Sequence, residues 1–165
     1  MPSLEARIRK QQSILICSGI GVILFGVWSI IRFILMQFMN RNDLFGLFEE
    51  YIIEDISPAE FEAIVFGVTI FLLIIDLLLR SYYGLSAIAD GYGKYRGRGI
   101  YICVAAILAL IFIGFDIVTI VESIRSGLDF DDIINVLIDI TVNVATCEIV
   151  VAAIRLRLLL KQQTK

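Results

Sequence analysis

The sequence contains no histidine, and only three cysteines and two prolines occur among its 165 residues. The lack of histidine removes the commonest general base and the commonest ligand for transition metals. Cys17, Cys103 and Cys147 lie far apart inside apolar segments, and no CxxC pair exists. This spacing predicts neither a redox dithiol nor a zinc ribbon. We therefore expect free thiols, no metal site and no cofactor.

Sequence signatures of catalysis are missing as well. The chain has no HExxH, no GxSxG and no aspartate-rich pattern of phosphatidyl transferases, and a rhomboid-like serine site would require a histidine. The 14 Lys and Arg residues stand against 17 Asp and Glu residues, which gives a net charge of −3. This balance argues against a nucleic-acid partner. We expect a protein that is neither an enzyme nor a nucleic-acid-binding protein.

Apolar residues, in contrast, are abundant. They make up 59% of the chain, charged residues make up 19%, and the mean hydropathy is +0.89. Soluble domains contain only about 45–50% apolar residues, and a membrane-spanning helix needs about 20 of them in succession. The sequence predicts an all-α polytopic membrane protein, with residues 1–165 forming one transmembrane domain. Its four spans are predicted at residues 13–36, 59–83, 100–121 and 133–160.

The charges between the predicted spans alternate in sign. The two terminal segments and the loop after span two together carry eleven basic residues and two acids. The other two loops carry Arg41 and Arg125 against eleven acids. The positive-inside rule then places both termini in the cytoplasm. We expect a multi-pass protein of the cell membrane.

Two helix starts are marked by local patterns. Ser57, Pro58 and Glu60 form a capping box with proline at the first helical position, and Asp129 stands in the cap position before span four. In the first outer loop, apolar residues alternate with acids over residues 44–55. That spacing suits a short amphipathic helix on the outer membrane surface, and it equally suits a loop packed over the bundle.

Five ionisable residues fall inside the spans, where each costs about 2.5–3.5 kcal/mol on insertion scales. By helix rise they form two layers. The outer layer contains Arg32, Asp116 and Asp139, and the inner layer contains Asp76 and Glu148. The basic neighbour Arg80 belongs to the inner layer, and Arg155 is a further candidate for it. The outer layer therefore holds two acids for one arginine.

Span four is the most polar of the four. Asn135, Asp139, Asn143 and Thr146 share one helical face, and Thr141, Glu148 and Arg155 share the opposite face. A helix that is polar on both faces is expected at the centre of the bundle or at a subunit interface.

Asp76 and Glu148 share a further property. Asp76 follows Ser57 by 19 residues, and Glu148 follows Asp129 by 19 residues. Both carboxylates then lie about 28 Å from their caps, and they form a shared site if spans two and four are neighbours. Arg80 is the rival partner, because it follows Asp76 at the i, i+4 spacing.

These charges suggest two functions. In the first, the protein is a subunit of an oligomeric channel or transporter for a proton or small cation. In the second, it is an accessory or scaffold membrane protein whose charges pair internally or with a partner protein. The candidate ion-binding residues are Asp139, Asn143, Glu148, Asp76 and Asp116. The candidate pairing residues are Arg32, Arg80 and Arg155.

Glycine-containing segments complete the sequence features. Lys94, Arg96 and Arg98 lie in a glycine- and tyrosine-rich loop after span two. This loop suits anionic lipid headgroups, or it is a flexible connector whose charges fix the topology. In span one, Gly19, Gly21 and Gly26 allow close approach of another helix, although they form no strict GxxxG. A homo-oligomer or a complex with a partner membrane protein is expected.

Overall fold

The computed structural model describes residues 3–39, 58–94, 99–126 and 130–163. Over these ranges the chain forms four α-helices, which confirms the all-helical fold. Their bounds are Leu4–Met39 for α1, Pro58–Gly91 for α2, Ile100–Ser126 for α3 and Phe130–Gln163 for α4.

Each helix contains a stretch that is long and apolar enough to cross a membrane. These stretches are Leu4–Leu35, Ala63–Gly91, Ile100–Val121 and Val136–Gln163. Large apolar side chains point away from the protein: Leu110 is 72% exposed and Phe115 is 65% exposed. Such surfaces are unfavourable in water and suit hydrocarbon. The helices are therefore those of a multi-pass membrane protein, while the sidedness of the termini stays a prediction.

The helices extend beyond the predicted spans. α1 already begins at Leu4, because Ile8 and Leu15 on its first turns are buried in the core. α2 continues past the predicted end at residue 83 to Gly91. The predicted spans followed the apolar runs, whereas the helices continue for as long as one face is buried.

The start of α2 at Pro58 matches the prediction of proline at the first helical position. Ser57 and Asp129, the predicted caps, lie outside the described residues. The predicted amphipathic helix at 44–55 also lies outside them.

The chain divides into two compact units. The first unit contains Met1–Ile23 and Ser81–Lys165, and the second contains Leu24–Arg80. The core of the first unit is built from all four helices. Its members are Ile8, Leu15 and Val22 of α1, Tyr83 and Ala87 of α2, Tyr101 and Ala105 of α3, and Ile149, Ala152, Ala153, Leu156 and Leu159 of α4.

Glycines bring α1 and α2 close together inside the first unit. A Cβ atom on Gly19 would lie 2.8 Å from the carbonyl oxygen of Gly84, and one on Gly84 would lie 2.9 Å from the carbonyl oxygen of Gly19. A Cβ on Gly91 would lie 2.6 Å from Cγ1 of Ile16. Only residues without a side chain allow this distance between the two backbones.

In the second unit the same two helices meet at Gly26. A Cβ atom there would lie 3.0 Å from Cδ1 of Leu77 and 3.1 Å from Cδ of Arg80. Phe33 and Phe66 stack in this unit with their ring centroids 5.7 Å apart. Aromatic stacking therefore joins α1 to α2 here, alongside the glycine contact.

Candidate functional site

An open groove of about 540 Å³ lies between α1, α3 and α4 of the first unit. Isoleucine and valine side chains make up half of its lining residues. Its polar lining residues are Gln11, Asp116, Asn143, Glu148 and Arg155. Three of the five predicted ion-binding residues therefore line one cavity, and Arg155 lines it with them.

Asp116 and Asn143 connect α3 to α4 at this groove. The Nδ2 group of Asn143 donates a hydrogen bond to Oδ2 of Asp116. Asn143 is only 6% exposed, and its Oδ1 atom is buried without a hydrogen-bond partner among the described residues. The pair thus places a carboxylate beside the cavity, while the remaining amide oxygen of Asn143 is buried.

Glu148 connects α4 to α1. The hydroxyl of Ser18 donates a hydrogen bond of 2.9 Å to Oε2 of Glu148. Ser18 is buried, whereas Glu148 is exposed and lines the groove. One oxygen of the carboxylate is therefore held by α1, while the side chain as a whole stays open to the groove.

Asn143 and Glu148 were predicted on opposite faces of span four, yet both line the groove because it extends over three helices. Both residues lie inside the apolar stretch of α4, and Asp116 lies inside that of α3. Carboxylate and amide oxygens suit protons and hard cations. The chemistry that this arrangement supports is reversible binding of a proton or a small cation.

Asp76 is bound differently, by a partner on its own helix. Nε of Arg80 donates to Oδ2 of Asp76 at 2.6 Å, and Arg80 is buried. The predicted i, i+4 pair is confirmed. Both residues belong to the second unit, and the shared site of Asp76 and Glu148 stays a prediction. The pairing of Arg32 with Asp116 or Asp139 also stays a prediction.

Two further predicted site residues, Asp139 and Lys94, are not among the described residues that line the groove. Asp139 is exposed on α4. Lys94 is exposed after the end of α2, and Arg96 and Arg98 lie outside the described residues. Lipid binding by this loop stays a prediction.

The sequence reasoning missed a polar cluster around Asp90. This residue is 4% exposed, and it accepts a hydrogen bond of 2.6 Å from the Tyr101 hydroxyl. Nη2 of Arg157 lies 3.6 Å from Oδ2 of Asp90. The guanidinium carbon of Arg157 lies 6.0 Å from the centre of the Tyr101 ring. The cluster joins the end of α2, the start of α3 and the end of α4. Asp90 is one of the two acids counted in the basic segments outside the predicted spans, because the apolar run of span two ends before it.

A buried hydroxyl pair also links α2 to α4. The hydroxyl of Thr146 donates its single proton to the carbonyl oxygen of Val142 at 2.9 Å. The Thr146 and Tyr83 hydroxyls are also 3.3 Å apart, and in this contact the tyrosine is therefore the donor. Thr146, on the predicted polar face with Asn143, therefore has a packing role.

Cys17, Cys103 and Cys147 are all free thiols, and Cys147 lines the groove next to Glu148. In the described part of the chain, no group of three His, Cys, Asp or Glu side chains is arranged to hold a metal ion.

The chain matches no known protein family, no curated protein and no solved structure. Its function is therefore inferred from the groove and the side chains that line it.

Proposed function

We propose that the protein is a non-catalytic subunit of an oligomeric membrane channel or transporter that handles a proton or a small cation. The observation that carries this proposal is the groove that Asp116, Asn143 and Glu148 line together within apolar helices. The cell membrane is its proposed location, with both termini in the cytoplasm.

The energetics of Glu148 support a role in binding. A carboxylate inside a membrane helix costs about 2.5–3.5 kcal/mol on insertion scales. A hydrogen bond to a charged group contributes about 1.5–3 kcal/mol, so the bond from Ser18 offsets much of that cost but leaves the negative charge in place. A proton or a cation on the carboxylate would remove the remaining cost, because either one neutralises the charge.

Asp76 provides the contrast. Its carboxylate has a fixed positive partner in Arg80 at 2.6 Å, which satisfies the charge without any ligand. We therefore assign Asp76 a structural role and assign ion or proton binding to Glu148, with Asp116 and Asn143 as its neighbours in the groove. Asp139 stays a candidate on the exposed surface of α4.

The proposed oligomer follows from the same groove. Glu148 is exposed in the single chain, and hydrocarbon is an unfavourable surrounding for it. A second copy or a partner membrane protein over the groove would enclose the carboxylates in a polar path.

The alternative is an accessory or scaffold protein. Specific observations favour it too, because Asp90 and Asp116 accept hydrogen bonds from Tyr101 and Asn143. In this alternative the carboxylates fix the packing of the helices, and the groove receives a partner helix.

A flux measurement separates the two functions. The purified protein is placed in liposomes that contain a pH-sensitive dye, and proton flux is followed after a pH step or a gradient of a monovalent cation. We expect flux with the wild-type protein, and loss of most of it in Glu148→Gln, because the amide neither takes up a proton nor carries a charge.

Glu5→Gln is the matched control, since it makes the same chemical change at an exposed acid on the first turn of α1. It should leave flux unchanged. Folded wild-type protein without flux, or equal flux in Glu148→Gln and the wild type, would contradict the transport proposal and favour the accessory role.

A further inference from the structure

A second cavity, of about 430 Å³, lies in the first unit where the start of α1 meets the end of α4. Three basic side chains line it: Arg7 and Lys10 from α1, and Arg155 from α4. We refer to it as the basic pocket. Its lining contains no acidic residue among those that the structure describes.

Among the residues that the structure describes, the three cations of the basic pocket have no anionic partner. Elsewhere the protein pairs arginines with acids, as in Arg80 with Asp76 and Arg157 with Asp90. Over the described ranges, however, none of the three pocket cations forms a salt bridge. Positive charges that converge on one cavity repel each other unless an anion lies between them, and arginine is well suited to bind phosphate.

The position of the basic pocket specifies the kind of anion. Arg7 and Lys10 lie in the first two turns of α1, at the start of its apolar stretch, and Arg155 lies in the last third of the apolar stretch of α4. Basic side chains at the ends of spans lie at the level of lipid headgroups. Leu158 and Leu159 also line the pocket, and Leu158 is 59% exposed. An anion bound here therefore has an apolar surface beside it.

We propose that the basic pocket binds an acidic phospholipid. The phosphate lies between Arg7, Lys10 and Arg155, where its charge is neutralised. The amides of Gln11 and Gln162, which also line the pocket, offer hydrogen bonds to hydroxyl groups of the headgroup. One acyl chain leaves the pocket past Leu158 into the bilayer. The site is distinct from the loop that contains Lys94. It shares Gln11 and Arg155 with the lining of the groove, but lipid binding here does not require ion binding in the groove.

The test uses native mass spectrometry of the purified full-length protein in detergent, titrated with phosphatidylglycerol. We expect one lipid to be retained by the wild-type protein. Removal of one pocket charge, in Arg155→Gln or in Lys10→Gln, should weaken its binding about fivefold. All three basic side chains are exposed, so these variants should keep the helix content and elution volume of the wild type, and either variant suffices if the other misfolds.

Arg9→Gln is the matched control, because Arg9 lies on the same turn of α1 but does not line the basic pocket. It should bind phosphatidylglycerol like the wild type. Equal weakening in Arg9→Gln and Lys10→Gln would overturn the proposal in favour of diffuse surface attraction.

Two further arms distinguish the source of the phosphate. Phosphatidylcholine, which has no net charge, should bind more weakly than phosphatidylglycerol, and inorganic phosphate should displace the lipid only at much higher concentration. Equal binding of both lipids, displacement by equimolar inorganic phosphate, or no retained phosphatidylglycerol would each overturn the proposal.

Discussion

At the scale of single residues, the carboxylates of this chain differ in how they are neutralised. Asp76 has Arg80 on its own helix at 2.6 Å, and Asp90 has Tyr101 and Arg157 around it. Within the described ranges, the hydrogen-bond donor to Glu148 is the neutral hydroxyl of Ser18. An arginine satisfies a carboxylate far better than a serine does. Of these three, Glu148 has the weakest neutralisation, and it is the one that we expect to bind a ligand.

The Asp90 cluster has a measurable structural role. Tyr101→Phe removes the hydroxyl that donates to buried Asp90, which should lower the free energy of unfolding by about 1–3 kcal/mol because a charged acceptor loses its donor. Thermal unfolding in detergent measures the loss. Tyr92→Phe is the control, since Tyr92 is 67% exposed and should tolerate the change. Equal stability of both variants would mean that the Tyr101 bond does not stabilise the fold.

At the scale of elements, glycine positions determine how closely α1 and α2 approach. The sequence showed Gly19, Gly21 and Gly26 as equivalent small residues, but their surroundings differ. Gly19 and Gly26 face the neighbouring helix, whereas a Cβ on Gly21 would meet no atom within 4 Å. Gly19 and Gly26 lie on the face of α1 that packs on α2, and Gly21 does not. Which face of α1 packs depends on where α2 lies, so the sequence of α1 alone does not distinguish the three glycines.

This difference predicts opposite effects for the same substitution. Gly19→Ala would place a Cβ 2.8 Å from the carbonyl oxygen of Gly84, and it should destabilise the protein by about 1–3 kcal/mol through overpacking. Gly21→Ala should be neutral or should stabilise by up to about 1 kcal/mol, because alanine favours the helix. Unfolding of both variants in the same detergent measures this. Two equal effects would contradict the close packing of α1 on α2.

At the scale of the whole molecule, the number of spans and the Asp76–Arg80 pair were predictable, because both depend on local sequence. The burial of Asp90 was missed, although Tyr83, Ala87 and Asp90 follow one helical face. An apolar run ends where charge begins, whereas a helix ends where its buried face ends. The groove was not predictable, because it requires the relative positions of α1, α3 and α4.

The orientation proposed for the chain has a direct test. In a cysteine-free background, Glu50→Cys and Asp131→Cys should react with a membrane-impermeant thiol reagent applied to intact cells, and Lys94→Cys should not. The reason is the excess of basic residues in the termini and in the loop that contains Lys94. If only Lys94→Cys were labelled, the orientation of the chain would be the opposite of the one proposed.

The central claim is that the groove beside Glu148 contains water, as ion or proton binding requires. Cys147 lines this groove, and the contact between Ser18 and Glu148 places Cys17 at the same level on α1. Cys17 is exposed but is absent from the described lining of the groove. The two native cysteines are therefore matched reporters of the groove and of the outer apolar surface.

The measurement compares two single-cysteine variants in liposomes, one that keeps Cys147 and one that keeps Cys17, with a charged methanethiosulfonate reagent. This charged reagent is confined to water, so it reaches a thiol in a water-filled groove but not one that faces hydrocarbon. We expect modification of Cys147 and little or none of Cys17, and slower modification of Cys147 when Glu148 is occupied by a bound cation. If Cys147 reacts only with a membrane-permeant maleimide, as Cys17 should, the groove is dry and the transport function is contradicted.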